Sequence, residues 1–238
     1  MFSRIPLSGA ALPEKTLCLT FDDGPGETEG DGRGPRTSEL AAYLHEEGIS
    51  ATFFMVGKFA AQYPHTLSGV VRLGHTIGNH TFNHPDLPQY LTQGGDLVAE
   101  VERTNDVIAG HLSGDTVFFR APYGSWAPGV ADALNARLDD AHNFCGPIHW
   151  DIEGRDWEYW KDCRRVEDCA GGYLEEIERI GRGIVLMHDS IADLGDARMN
   201  NRTLELIKVL VPLLKGLGYK FIRLDEITEL DEIPDYPS

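Results

Sequence analysis

Short, nearly continuous apolar runs alternate with longer amphipathic stretches through most of the chain. The runs at 15–21, 51–56, 75–79, 117–120, 147–152, 183–188 and 219–223 are too short for helices and predict strands buried on both faces. The stretches at 37–47, 58–72, 95–111, 127–138, 167–180 and 201–216 space their apolar residues at helical intervals. Strand–helix alternation of this kind predicts a parallel sheet covered by helices, and seven such units predict an α/β barrel. One domain is expected over 1–238, with its core at about 15–225; there is no internal repeat and no low-complexity linker. Gly26 to Arg36 is rich in glycine and charge and predicts a loop, with Thr37 or Ser38 capping the helix that follows. Its Gly30-Asp31-Gly32-Arg33-Gly34 is not a dinucleotide fingerprint, because no strand runs directly into it and Pro35 follows.

The polar residues that interrupt this pattern fall at one recurring place. Asp22-Asp23 follow the first strand, Asn79-His80 the third, Arg120 the fourth, Asp151 to Trp157 the fifth and His188-Asp189 the sixth. Loops after strand C-termini share one rim of a parallel barrel, so these five clusters converge there. Two adjacent carboxylates repel each other and are held together when a cation or an arginine compensates, although Asp22-Asp23-Gly24-Pro25 alone also reads as an Asx-type turn. His80 and His84 have i, i+4 spacing, which places two imidazoles on one side of a helical turn, kept short by Pro85. With one of the two aspartates they make an open site of one carboxylate and two imidazoles. A two-pronged Arg120 can hold the other aspartate in its charged form, and the alternative is a surface ion pair. His188 ends an apolar strand, where an imidazole can donate a proton, and Asp156 is available to orient it and raise its pKa.

Composition narrows the partners. A net charge of −17 argues against nucleic acid and favours a neutral over a polyanionic polymer. No run reaches the ~18 apolar residues of a membrane span. Met1 to Pro6 lacks a signal-peptide core, so the cytoplasm is expected if the chain is native at Met1, and secretion if a leader was removed. Cys163 and Cys169 could close a small disulfide loop in an oxidising compartment, whereas Cys18 reads as a small core residue. His45-Glu46-Glu47 reads as a solvated helix face, and His65, His75, His111, His142 and His149 show no partner pattern. The oligomeric state is open, with a monomer as the default.

Together these residues resemble carbohydrate esterase family four, the NodB-like polysaccharide deacetylases, over residues 20 to about 190. Thr20-Phe21-Asp22-Asp23-Gly24 resembles the first motif, His80-Thr81-Phe82-Asn83-His84 the second, Arg120-Ala121-Pro122-Tyr123 the third and Leu186-Met187-His188 the fifth. The fourth, an Asp-x-x-Asp-Trp pattern, departs in having Glu153 ahead of Asp156-Trp157. The loop after the first strand is longer than is usual in the family, and Glu158 to Cys169 reads as an elaborated rim.

The resemblance implies a single distorted (β/α)7 barrel that removes acetyl groups from N-acetylated carbohydrate, of the chitin-oligosaccharide or peptidoglycan type. It implies a divalent ion on Asp23, His80 and His84, zinc first, with Co2+, Ni2+ or Mn2+ as others. It further implies Asp22 as base, Arg120 as its partner, Tyr123 as oxyanion donor, His188 as acid supported by Asp156, and Pro122, Tyr123, Trp157 and Leu186 around the substrate. Trp126, Trp157, Tyr159 and Trp160 lie in two rim loops and are expected either to stack on sugar or to pack the barrel mouth. The competing expectations are an O-acetyl esterase acting on xylan, a hydrolase of a small non-carbohydrate amide, and a silent carbohydrate-binding module.

Overall fold

A computed structural model of the chain describes residues 1–28, 33–112 and 114–233. The Gly30-Asp31-Gly32 part of the long first loop therefore lies outside the described residues. The chain runs β1 (Phe2–Ser8), β2 (Thr16–Gly24), α1 (Thr37–Glu46), β3 (Thr52–Met55), α2 (Gly57–Ala60), α3 (Pro64–Arg72), β4 (Thr76–Asn79), α4 (Leu87–Thr92), α5 (Leu97–Ile108) and β5 (Val117–Phe118). It continues through α6 (Pro128–Arg137), β6 (Phe144–Ile148), β7 (Ile152–Glu153), α7 (Asp156–Lys161), α8 (Val166–Ile180), β8 (Gly183–His188), α9 (Gly195–Met199), α10 (Thr203–Gly216), β9 (Lys220–Phe221) and β10 (Asp231–Glu232).

Strands β4-β3-β2-β8-β7 form one parallel ladder, and β1-β6-β5 form another. A single bridge between Asn79 and Phe119 joins the two at β4 and β5. On the far side β6 and β7 are joined by the chain itself through 149–151, where Asp151 accepts from the Gly9 and Ile184 N–H groups at 2.9 and 2.8 Å. The result is the expected α/β barrel, distorted because one seam is a bend in the chain and not a ladder.

Alternation along the strands divides the apolar residues between two cores. Leu17, Leu19, Phe21, Phe53 and Met55 pack outward under the helices. Cys18, Phe54, Phe118, Ile148 and Ile184 fill the barrel axis, closed below by Leu224. Cys18 is thus the core residue the sequence suggests, and burial pushes its thiol up to about 12.

Several expected elements differ. The strand expected at 147–152 is two strands, because the chain must leave β5 and reach β8 within a few residues. The helix expected at 58–72 is broken ahead of Pro64, which cannot donate to a continuing helix. α4, α7 and α9 come from stretches too short to show a helical period. β1 carries Arg4 and Pro6 and shows no alternation in sequence, yet it pairs with β6 and β10. Thr37 is not a cap: its hydroxyl accepts from Gly26 N–H at 3.0 Å and donates to Asp189. Cys163 is exposed and Cys169 is buried on the inner face of α8, and both are free thiols, so the suggested disulfide does not form. No helix among the described residues is long and apolar enough to cross a membrane.

Candidate active site

The inward row of β2 ends in Asp22, above Cys18 and Thr20. In register with it stand Phe54 on β3 and His188 on β8. A regular strand would aim Asp23 to the opposite face. Here β2 advances from Asp22 to Gly24 while β3 advances one residue, so Asp23 is the extra residue of a bulge, at φ 72. The bulge is what brings two consecutive carboxylates into one site. Gly24 is required beside them, since a Cβ there would collide with the buried Asp189 carboxylate.

Arg120 is fully buried on the barrel axis with its guanidinium 4.3 Å from the Phe54 ring centre. Its Nη1 donates to Asp22 Oδ1 at 2.8 Å and to Thr20 Oγ1 at 2.7 Å. Its Nε and Nη2 donate to the Ile148 and His149 carbonyls at 3.0 and 3.1 Å. The two-pronged grip expected on the aspartate is therefore a single nitrogen, because the other donors hold the β6–β7 bend in place. His149 lies in that bend, where burial and the Arg120 charge push its pKa down to about 4.

Asp23, His80 and His84 present one donor atom each, all within 4.8 Å of one another. His80 Nε2 and His84 Nε2 approach the same oxygen, Asp23 Oδ1, at 3.5 and 3.0 Å. The other carboxylate oxygen accepts the Ala192 N–H at 2.8 Å. His80 Nδ1 faces the Arg120 carbonyl at 2.8 Å, and a carbonyl only accepts, so the proton is on Nδ1 and Nε2 is turned to the site. Burial works against a charged His84, yet Asp23 and Asp193 lift its pKa to about 9. Burial also opposes charge on Asp23, but His84 and His80 hold its carboxyl well below the usual range. The cluster thus calls for positive charge between these three side chains, which is what a divalent cation supplies, and its nitrogen–oxygen donor set suits a transition ion.

The turn from His80 to His84 is not helical. Thr81 and His84 have φ of 62 and 67, a geometry enforced by the Asn79 side chain accepting from Thr81 N–H at 3.0 Å. Thr81 Oγ1 accepts from His84 N–H at 3.2 Å. Glu100, buried on α5, accepts from the Phe82 and Asn83 N–H groups at 3.1 and 2.7 Å and from the Asn83 amide at 2.6 Å. Sequence reasoning missed Glu100, although an acid on the apolar face of the helix expected at 95–111 is the signal that finds it.

Beside Asp22 on the neighbouring strand, His188 Nδ1 lies 2.7 Å from Asp156 Oδ1, and its backbone N–H donates to Asp156 Oδ2 at 2.8 Å. Burial disfavours the imidazolium, but Asp156, with Asp23 and Asp22, raises the His188 pKa to about 10. Asp189 beside it is pushed up to about 7 by burial, against the Thr37 hydroxyl bond.

These groups share one cleft of about 480 Å³, whose walls include Tyr123, Trp150, Glu153, Trp157, Leu186 and Asp193. Tyr123 projects at φ 59 and is 60 % exposed, while Pro122 is buried behind it and does not reach the wall. Of the four rim aromatics, Trp157 alone lines the cleft. Trp160 and Trp126 are buried and donate to Thr203 Oγ1 and the Ser3 carbonyl at 3.2 and 3.0 Å, and Tyr159 lies under Arg164. Trp150 was missed because it sits in the bend inside the strand expected at 147–152; Asp193 was missed because it lies beyond the last motif.

A family model described as polysaccharide deacetylase matches residues 9–137. A chitooligosaccharide deacetylase of Azorhizobium caulinodans is 31% identical over 213 residues, covering 87% of this chain and 91% of that one. A peptidoglycan-N-acetylglucosamine deacetylase of Listeria monocytogenes is 25% identical over 224 residues, covering 94% of this chain and 41% of its own length. Among solved structures, one described as T48 deacetylase with substrate superposes with a TM-score of 0.68 at 30% identity, covering 92% of this chain and 94% of that one.

Proposed function

The chain belongs to the polysaccharide deacetylase family, and from that premise we propose that it hydrolyses the acetamide of N-acetylated carbohydrate, giving acetate and an amine. The observation that carries this reading is the register of Asp22 with His188, which sets a base and an acid in the same cleft as the Asp23–His80–His84 donors. Those three side chains would hold a divalent ion, zinc by preference with Co2+, Ni2+ or Mn2+ as alternatives, which when bound polarises a carbonyl oxygen and lowers the pKa of water.

The residues around it have separable tasks. Asp22, held by Arg120 and 3.7 Å from His80 Nε2, takes the proton of the attacking water. The backbone N–H of Tyr123 donates to the carbonyl oxygen as negative charge builds there. His188, kept protonated at neutral pH by Asp156, gives its proton to the departing nitrogen, which would otherwise leave as an amide anion. Leu186 and Trp157 supply apolar wall for the acetyl methyl and a sugar face.

The test is acetate release from an N-acetylglucosamine oligomer, peptidoglycan and acetylated xylan, with the amine counted alongside. Equal acetate and amine from either amide substrate is expected. Acetate from xylan alone would replace this reading with an O-acetyl esterase, and none from any of the three would overturn it.

A further inference from the structure

The loop that follows β8 lies outside every motif, yet two consecutive residues of it reach two of the three clustered donors. Ala192 N–H donates to Asp23 Oδ2 at 2.8 Å. The next residue, Asp193, places its Oδ2 2.5 Å from His84 Nδ1 and 2.5 Å from the Tyr123 hydroxyl. A carboxylate oxygen has two lone pairs, so it can accept from both at once. The His84 and Tyr123 rings meet edge to face, with centres 4.6 Å apart, so the three side chains form a closed triangle at the cleft wall.

We propose that Asp193 is a positioning residue that couples the metal ligand His84 to the oxyanion donor Tyr123. By accepting the Nδ1 proton it fixes the imidazole with Nε2 turned toward Asp23 Oδ1, 3.0 Å away. By accepting the phenol it tethers an otherwise exposed tyrosine, and with it the backbone N–H aimed at substrate. The two acts share one oxygen. Anything that loosens Tyr123 therefore loosens His84, and a cation bound at His84 steadies Tyr123 in return. This inference rests on the metal reading of the Asp23–His80–His84 cluster.

The experiment titrates Zn2+ into metal-free protein by calorimetry, with Co2+ absorption spectra as a second readout of ligand geometry. Asp193→Ala should weaken Zn2+ binding by about 10–100-fold and change the Co2+ spectrum. Asp193→Asn keeps an acceptor without the charge and should weaken Zn2+ binding several-fold, less than the alanine variant does. Tyr123→Phe, which leaves His84 and Asp193 in place, should weaken Zn2+ several-fold. Circular dichroism of the metal-free proteins shows whether each variant has folded; if the alanine variant has not, the asparagine and phenylalanine variants decide. Zn2+ affinity within about twofold of wild type in Asp193→Asn and Tyr123→Phe would overturn the coupling. Wild-type protein that takes up no Zn2+ would overturn the metal reading and this inference with it.

Discussion

Replacing Asp156 by asparagine removes the charge that His188 leans on while keeping the shape of the side chain. In the wild type the His188 pKa is raised from 6.5 to about 10, burial opposing and Asp156 leading the groups that favour the charge. At about pH 8 an imidazole of pKa about 10 is about 99 % protonated, whereas one returned to 6.5 is about 3 % protonated. The supply of general acid then falls about 30-fold at about pH 8 and little at about pH 6. Burial opposes the charge while Asp22 and Asp23 support it, so about 30-fold sets the scale of the loss. The assay is kcat/KM for an N-acetylglucosamine oligomer across that range. Asp156→Asn should move the alkaline limb to lower pH, with a loss that grows as pH rises. Stability follows the same sign: a raised folded pKa contributes fully below about 6.5 and its contribution is lost as pH climbs through about 10. The gap in unfolding free energy between wild type and variant, about 3–5 kcal/mol for a broken buried pair, should therefore narrow over that interval. A loss of activity of equal size at both ends of the range would refute the assignment of His188 as the acid tuned by Asp156.

Asp22→Asn should lower kcat by about 10²–10⁴-fold, measured as acetate release, and leave Zn2+ binding by calorimetry near wild type, since Asp22 is not among the three donors. Arg120→Met deletes a fully buried cation and leaves Asp22 Oδ1 without that partner; urea unfolding should show a loss of about 3–5 kcal/mol. Trp160→Ala should cost about 3–5 kcal/mol of stability with KM unchanged in whatever protein remains folded, because the ring is core. Trp157→Ala should do the reverse, raising KM for longer oligosaccharides with a smaller effect on unfolding.

How much of this was written in the sequence depends on what kind of force places each residue. The barrel and its rim were legible because alternation and period are repeated signals: the inward row Cys18, Thr20, Asp22 and the outward row Leu17, Leu19, Phe21 follow from spacing alone. Asp22, Asp23, His80, His84, Arg120, Asp156 and His188 all reach one cleft or stand directly behind it, as their position after strand ends implied. What was not legible depends on single contacts. The bulge at Asp23 is a backbone choice that no side-chain period reports. The split of 147–152 arises because Asp151 and Arg120 staple a bend to partners distant in the chain. Trp160 and Trp126 look like rim aromatics in sequence and are core in space, because α7 and β1, both without a clear pattern, decide which way they turn. Asp193 has no periodic context at all, and only the folded loop brings it to His84.

The proposed hydrolysis requires one ion held by Asp23, His80 and His84, with Asp22 outside its ligands and bonded to Arg120. The most direct measurement is anomalous diffraction from crystals of the wild-type protein soaked in Zn2+. The predicted result is one strong peak at about 2.0–2.2 Å from Asp23 Oδ1, His80 Nε2 and His84 Nε2, with Asp22 still bonded to Arg120. A peak coordinated by Asp22 in place of Asp23, or no peak in this cleft, would contradict it.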